Sequence, residues 1–179
     1  MRTIIESTLM TLDGVIEDPA RWVGPYLDED FQKAAFERLK RSDAMLMGKR
    51  TYEILERDWA KTSGDFAALV NAMPKYVFSS TLEDARWTNA RLMRDDAVDA
   101  VRKLKAEGDR ELSIWGHGRL ARTLLQHGLI DEIRVSVFPV IVGAGETFYA
   151  EGDSARLRLI GTEPASAKGV VALSYAPQR

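Results

Sequence analysis

Residues 111–128 read ELSIWGHGRLARTLLQHG. A short apolar run, Leu112 to Trp115, meets Gly116-His117-Gly118, and beyond it Leu120, Ala121, Leu124 and Leu125 recur at the spacing of one helix face. The pattern predicts a strand, a glycine turn and a helix. Glycine lets the backbone adopt dihedrals other residues avoid, and the unpaired amides of a first helical turn point at whatever lies above them, so an anion belongs there. The G-x-G-x-x-G fingerprint is incomplete, because Ala121 stands at the third glycine. A tight turn with no ligand reads equally well from these residues alone.

The same grammar recurs twice upstream. Ala44 to Met47 is apolar, ends at Gly48-Lys49-Arg50-Thr51, and leads into a helical pattern over 52–57; Lys75 to Phe78 reads as a strand closed by Ser79-Ser80-Thr81. Between them, 66–72 predicts a short helix ended by Pro74. Residues 88–93 suggest another short strand, followed by a helix that Asp95-Asp96 opens and Gly108 follows.

Residues 2–10 predict an N-terminal strand that turns at Asp13-Gly14, and Asp18-Pro19 and Gly24-Pro25 punctuate a loop whose Trp22 and Tyr26 either pack or form a lid. Residues 28–41 follow as a helix with acids at its front and Lys40-Arg41 at its back. Downstream, 132–139 alternates as a half-buried strand with an antiparallel neighbour, and 156–162 with 170–175 form a C-terminal hairpin. Strands that alternate with helices and then run alone predict one three-layer α/β domain over residues 1–179. Its central sheet is mainly parallel, with antiparallel strands at one edge. In such a sheet ligands bind beyond the carboxyl ends of the strands, where junctions 48–51, 79–81 and 116–119 can line one crevice.

Composition narrows the chemistry. The chain has 179 residues, 45% of them hydrophobic, with 25 basic against 27 acidic side chains and a net charge of −2. Nothing in that balance suggests a broad footprint for nucleic acid or for an anionic membrane. With no cysteine and only His117 and His127, thiol catalysis, disulfides and a Cys- or His-rich metal site are excluded, and the expected metal is none. His127, beside Gly128, reads as a dipole partner at a helix end. The N-terminal MRTIIESTLMTLDG lacks a signal peptide's long apolar region and no apolar run approaches a membrane span, so a cytoplasmic protein is expected.

Backbone amides, hydroxyls and the cations Lys49, Arg50 and Arg119 at three strand ends suit a ligand with several phosphates, a dinucleotide above all. No G-x-x-x-x-G-K-[ST] exists for an ATPase or kinase. Without an obvious nucleophile, hard chemistry is borrowed from a bound cofactor, and hydride transfer is the natural candidate.

Motifs spread over nearly the whole chain carry a resemblance. Thr11-Leu12-Asp13-Gly14, Met47-Gly48-Lys49-Arg50-Thr51-Tyr52-Glu53, Lys75-Tyr76-Val77-Phe78-Ser79-Ser80-Thr81, Gly116-His117-Gly118-Arg119-Leu120 and Gly128-Leu129-Ile130-Asp131-Glu132 follow one another. In order and spacing they resemble the dihydrofolate reductase-like proteins, and within them the branch built like the reductase domain of riboflavin biosynthesis. The resemblance implies a dihydrofolate reductase-like fold, NADPH as hydride donor, a pterin-like or pyrimidine-like substrate and a homodimer, which Phe138, Phe148 and Tyr149 near the added antiparallel edge also suggest. It sets Gly48, Lys49 and Thr51 at the phosphates, Ser79 and Ser80 at the adenosine 2'-phosphate, and Gly116, His117, Gly118, Arg119 and Leu120 at the pyrophosphate. Lys49 stands where the family has arginine, which keeps the charge but loses the bidentate fork, and Arg50 next door can take over. His117 replaces a small residue. No H-x-E with P-C-x-x-C is present, so a stand-alone reductase-like domain without a deaminase domain is expected.

On the substrate side a carboxylate can pair bidentately with a pyrimidine. Asp28, Glu29 and Asp30 are candidates, although capping of the helix they open is the other reading, and Asp13 is a fourth. No catalytic acid is identified. The alternative function is a non-catalytic member that keeps the fold and binds a nucleotide or another ligand; a flavin oxidoreductase is a third.

Overall fold

Met45, Leu46 and Met47 are all buried, because their strand lies in the middle of a sheet covered on both faces, which is why it reads as a continuous apolar run. The computed structural model describes residues 1–178. In chain order these form β1 (Thr3–Thr11), α1 (Glu29–Leu39), β2 (Ser42–Gly48), α2 (Lys49–Trp59), α3 (Asp65–Ala72), β3 (Lys75–Phe78) and β4 (Ala90–Met93). Then come α4 (Ala97–Ala106), β5 (Glu111–Trp115), α5 (Arg119–Gln126), β6 (Glu132–Phe138), β7 (Leu157–Pro164) and β8 (Val171–Pro177). The sheet has eight strands in the order β4-β3-β2-β5-β1-β6-β8-β7.

Side chains of β2 divide the core between the two faces. Ala44 and Leu46 pack with Val98, Val101 and Leu104 of α4 and Ala121 and Leu124 of α5, whereas Met45 and Met47 pack with Tyr52 of α2 and Val70 of α3. These are the expected three layers. A third cluster at the antiparallel end joins Trp22, Phe31 and Phe138, the Trp22 and Phe138 rings meeting edge-on at 5.3 Å, so Trp22 is packing and not a lid. Trp59, Trp87 and Trp115 pack in the α2–α3 layer.

The strand from β6 differs from the expectation on one side. It is antiparallel to β8, as expected, but parallel to β1, because it is reached from β5 through α5, and a helical crossover returns the chain in the same direction. Asp131, just before β6, ties that crossover down by accepting the Ile4 N–H at 2.8 Å and pairing with Lys105 of α4. Helix α2 begins immediately after Gly48, three residues earlier than the apolar spacing suggests, which puts Lys49 and Arg50 in its first turn.

Lys75 of β3 is completely buried, its ammonium donating to the carbonyls of Met73 (2.7 Å), Asn71 and Thr88 (both 3.1 Å) and lying 4.4 Å from the Trp87 ring centre. Burial pulls its pKa down to about 8 from the ordinary 10.5. Between those values the unfolded chain holds the proton and the native chain does not, so native stability rises with pH across that window. Urea midpoints measured from pH 7 to 10 should therefore climb for the native protein relative to Lys75→Met, which removes the titrating group; parallel curves would contradict the assignment.

Candidate functional site

Strand pairing sets Gly48 level with Phe78 and Leu46 level with Ile114, so the segments leaving β2, β3 and β5 open side by side. Gly48 to Thr51, Ser79 to Thr81 and Gly116 to Leu120 line one crevice of about 2260 Å³. A single small ligand fills roughly 300–1,000 Å³, so this space suits a dinucleotide together with a second molecule.

Two of the helix starts that line it, those of α2 and α5, are built unlike those of α1 and α4. Asp28 caps α1 by accepting from the Phe31 N–H, and Asp96 caps α4 by accepting from Val98 and Asp99. Helices α2 and α5 start at Gly48 and Gly118, with no side-chain cap and no acid in the first turn. Their first turns carry Lys49, Arg50 and Arg119, so cations gather where a helix dipole ordinarily disfavours them. An anion above the amides resolves that conflict. Gly48 and Gly118 have φ of −83° and −90°, which any residue adopts, and a Cβ on either would meet no protein atom within 4 Å. Neither backbone strain nor protein packing requires glycine there, and the space above both is open. Gly116, at φ +80°, is needed for the turn itself.

The charged side chains are unequally committed. Arg50 reaches Glu146 at 2.8 Å and Glu17 at 3.6 Å, while among the described residues Lys49 has only a 3.8 Å pair with Glu53 in its own helix. Glu146 also approaches Arg122 of α5 at 3.8 Å, and Arg122 meets Asp153 at 3.5 Å. Glu146 thus lies between α2 and α5 on a segment that no sequence motif singled out. At the β3 end the Ser79 hydroxyl accepts from the Thr81 and Leu82 amides, at 3.2 and 2.9 Å, and Ser80 is exposed. Arg94 holds this turn from behind, donating to the carbonyls of Ser79 (3.1 Å) and Leu82 (2.6 Å), and is a further cation on the crevice wall. His117 turns inward: its ring is buried and Nδ1 lies 2.5 Å from Glu6 of β1, so this residue offers the crevice its backbone. His127 lies outside the site, Nδ1 donating to the Thr123 carbonyl at 2.9 Å, a C-terminal dipole partner.

The substrate-side acids separate. Asp28 accepts from the Ser166 hydroxyl at 2.6 Å as well as from Phe31, and these bonds, Ser166 first, hold its carboxyl below the usual range. Asp13 accepts from the Thr11 hydroxyl (2.6 Å) and the Gly143 amide (2.8 Å), which lower its pKa in that order and fasten the turn after β1 to the segment before β7. Of the four candidates, Glu29 lines the crevice. Asp58 and Asp65, which the sequence pattern did not single out, line it too. Beside them Phe66 lies 5.1 Å from Trp59, 6.1 Å from Phe36 and 6.2 Å from Trp115, ring centre to ring centre. This aromatic group adjoins the crevice on the α1–α3 face and suits a flat ring.

Comparison with known proteins agrees with this geometry. The model of the family described as the RibD C-terminal domain matches residues 2–171. The chain is similar to the uncharacterized Bacillus subtilis protein YyaP, 29% identical over 183 aligned residues that cover 97% of this chain and 94% of that one. Its structure is similar to that of a protein from Shewanella sp. PV-4 provisionally assigned to riboflavin biosynthesis, with a TM-score of 0.80, 23% identity and 99% of each chain covered. It is also similar to the Thermotoga maritima diaminohydroxyphosphoribosylaminopyrimidine deaminase/5-amino-6-(5-phosphoribosylamino)uracil reductase, with a TM-score of 0.67 and 14% identity over 99% of this chain and 57% of that one. The fold is the dihydrofolate reductase-like one.

Because Glu146 occupies Arg50, replacing it should free a cation for the crevice. Exposed ion pairs of this kind are worth up to about 1 kcal/mol, so Glu146→Gln should bind inorganic pyrophosphate up to about fivefold more tightly by calorimetry, with the gain shrinking in high salt. Unchanged or weaker binding would show that Arg50 does not face the anion.

Proposed function

Since the chain belongs to the RibD C-terminal domain family, we propose that it is an NADPH-dependent reductase of a small heterocycle, pyrimidine-like or pterin-like. The observation that carries this reading is the pair of uncapped, acid-free helix N-termini at Gly48 and Gly118, opening on one crevice with space above both glycines. The residues fit the cofactor: the two helix starts would hold the phosphates, and Lys49, Ser80 and Arg94 would surround the 2'-phosphate. The nicotinamide supplies a hydride when bound. The chain's own part is to orient the two rings and exclude water, with Phe36, Trp59, Phe66 and Trp115 as the apolar side of the space.

Turnover is tested by following NADPH absorbance with a panel of pyrimidines, pterins and quinoid compounds; oxidation with at least one of them is expected. Binding of NADPH without turnover on any would favour a nucleotide-binding member without catalysis. Lys49 has the weaker internal pairing of the two cations. Lys49→Ala should therefore weaken NADPH about tenfold and NADH hardly at all, the loss of one partly exposed charge-assisted contact. Arg50→Ala alone should do less, and equal losses for both nucleotides would remove Lys49 from the 2'-phosphate.

We also propose a homodimer formed through the β7 edge. Of the three aromatics the sequence suggested for this role, Phe138 is fully buried and Phe148 stacks on His117, leaving Tyr149 exposed. Edge strand β7 presents exposed Leu159 and Ile160, and an open apolar edge favours association. Light scattering should give twice the chain mass, reduced to one by Leu159→Lys with Ile160→Lys; a monomeric native protein would rule the dimer out.

A further inference from the structure

Glu6 is the one carboxylate among the described residues with no exposure at all, set in β1 between β5 and β6. Its Oε1 receives the His117 Nδ1–H at 2.5 Å and the Thr8 hydroxyl at 3.3 Å, and its Oε2 is buried without a partner among the described residues. A carboxylate so placed is costly, and an apolar pair of the same volume would serve the fold better. What the pair does accomplish is local. His117 is the only side chain in Gly116-His117-Gly118, a segment whose two glycines leave its backbone unusually free. That segment is fixed at three points: Gly116 N–H donates to the Ser7 carbonyl at 2.9 Å, His117 holds Glu6, and the His117 ring stacks on Phe148 with centres 4.3 Å apart.

We propose that Glu6 and His117 are positioning residues for the dinucleotide: the buried pair pins the glycine loop so that the first amides of α5 meet the phosphates without further ordering. The inference rests on the reading of the crevice given above. Binding to a loop ordered beforehand avoids an entropic cost, so the pair acts on nucleotide affinity although neither side chain touches the nucleotide. Thr8 and Phe148 complete the environment of the pair.

The chain's two histidines make the test direct, because nitrogen-15 spectra of the imidazole rings contain signals from His117 and His127 alone. In the native protein, NADPH should shift the His117 ring signals and leave those of His127 in place. By calorimetry His117→Ala should lose about tenfold or more in NADPH affinity, whereas Glu6→Gln, which keeps an acceptor for Nδ1, should lose about threefold or less. Circular dichroism establishes that each variant is folded. A folded His117→Ala with native affinity, or a His117 signal unmoved by saturating NADPH in the native protein, would overturn the inference while the cofactor reading stood. Failure of the native protein to bind NADPH at all would overturn both.

Discussion

The height at which the chain leaves β2, β3 and β5 is fixed by backbone pairing. A parallel ladder that slipped by two residues would separate the three loops by the length of a side chain, and a slip of one would turn Ala44 and Leu46 away from α4 and α5. Burial on both faces prevents either. The apolar run of β2 has no polar face to expose, so its register is held by packing against α2 and α3 on one side and α4 and α5 on the other. The crevice is a consequence of that register.

Charge distribution follows from the same geometry. Helices α1 and α4 are capped by aspartates, at 28 and 96, in the ordinary way, whereas the first turns of α2 and α5 line the crevice uncapped. These two begin with glycine and cations, an arrangement that costs stability until an anion arrives. Part of this cost is offset within the protein by Glu17 and Glu146, which neutralise Arg50 from two loops. Beneath the α5 loop a second, buried acid holds His117. Acids thus flank the crevice and lie beneath the α5 loop, while the first turns of α2 and α5 carry none.

The sequence displays the parts of this arrangement that are local. Each strand, glycine turn and helix is contiguous, and so is the pairing of short apolar runs with Gly48, Ser79 and Gly116, so the layers and the crevice loops can be read from spacing. Contacts that cross the fold cannot. Glu6 and His117 are separated by 111 residues, and nothing in an alternating strand announces that one of its buried positions is a glutamate awaiting an imidazole. Arg50 and Glu146, 96 residues apart, are equally silent. The acids at 28–30 show the opposite difficulty: one local pattern serves both a helix cap and a ligand, and only the position of Ser166 reveals that Asp28 is engaged within the protein. The structure adds Asp58 and Asp65, brought to the crevice by α2 and α3, which no motif marks.

That three separate strand ends act as one dinucleotide site is tested most directly by amide hydrogen exchange with and without NADPH. The geometry predicts that saturating nucleotide slows exchange together at 48–51, 79–81 and 116–120, the segments that line the crevice, and leaves the β7–β8 hairpin unchanged. Protection confined to one of the three segments, or found only elsewhere in the chain, would contradict it.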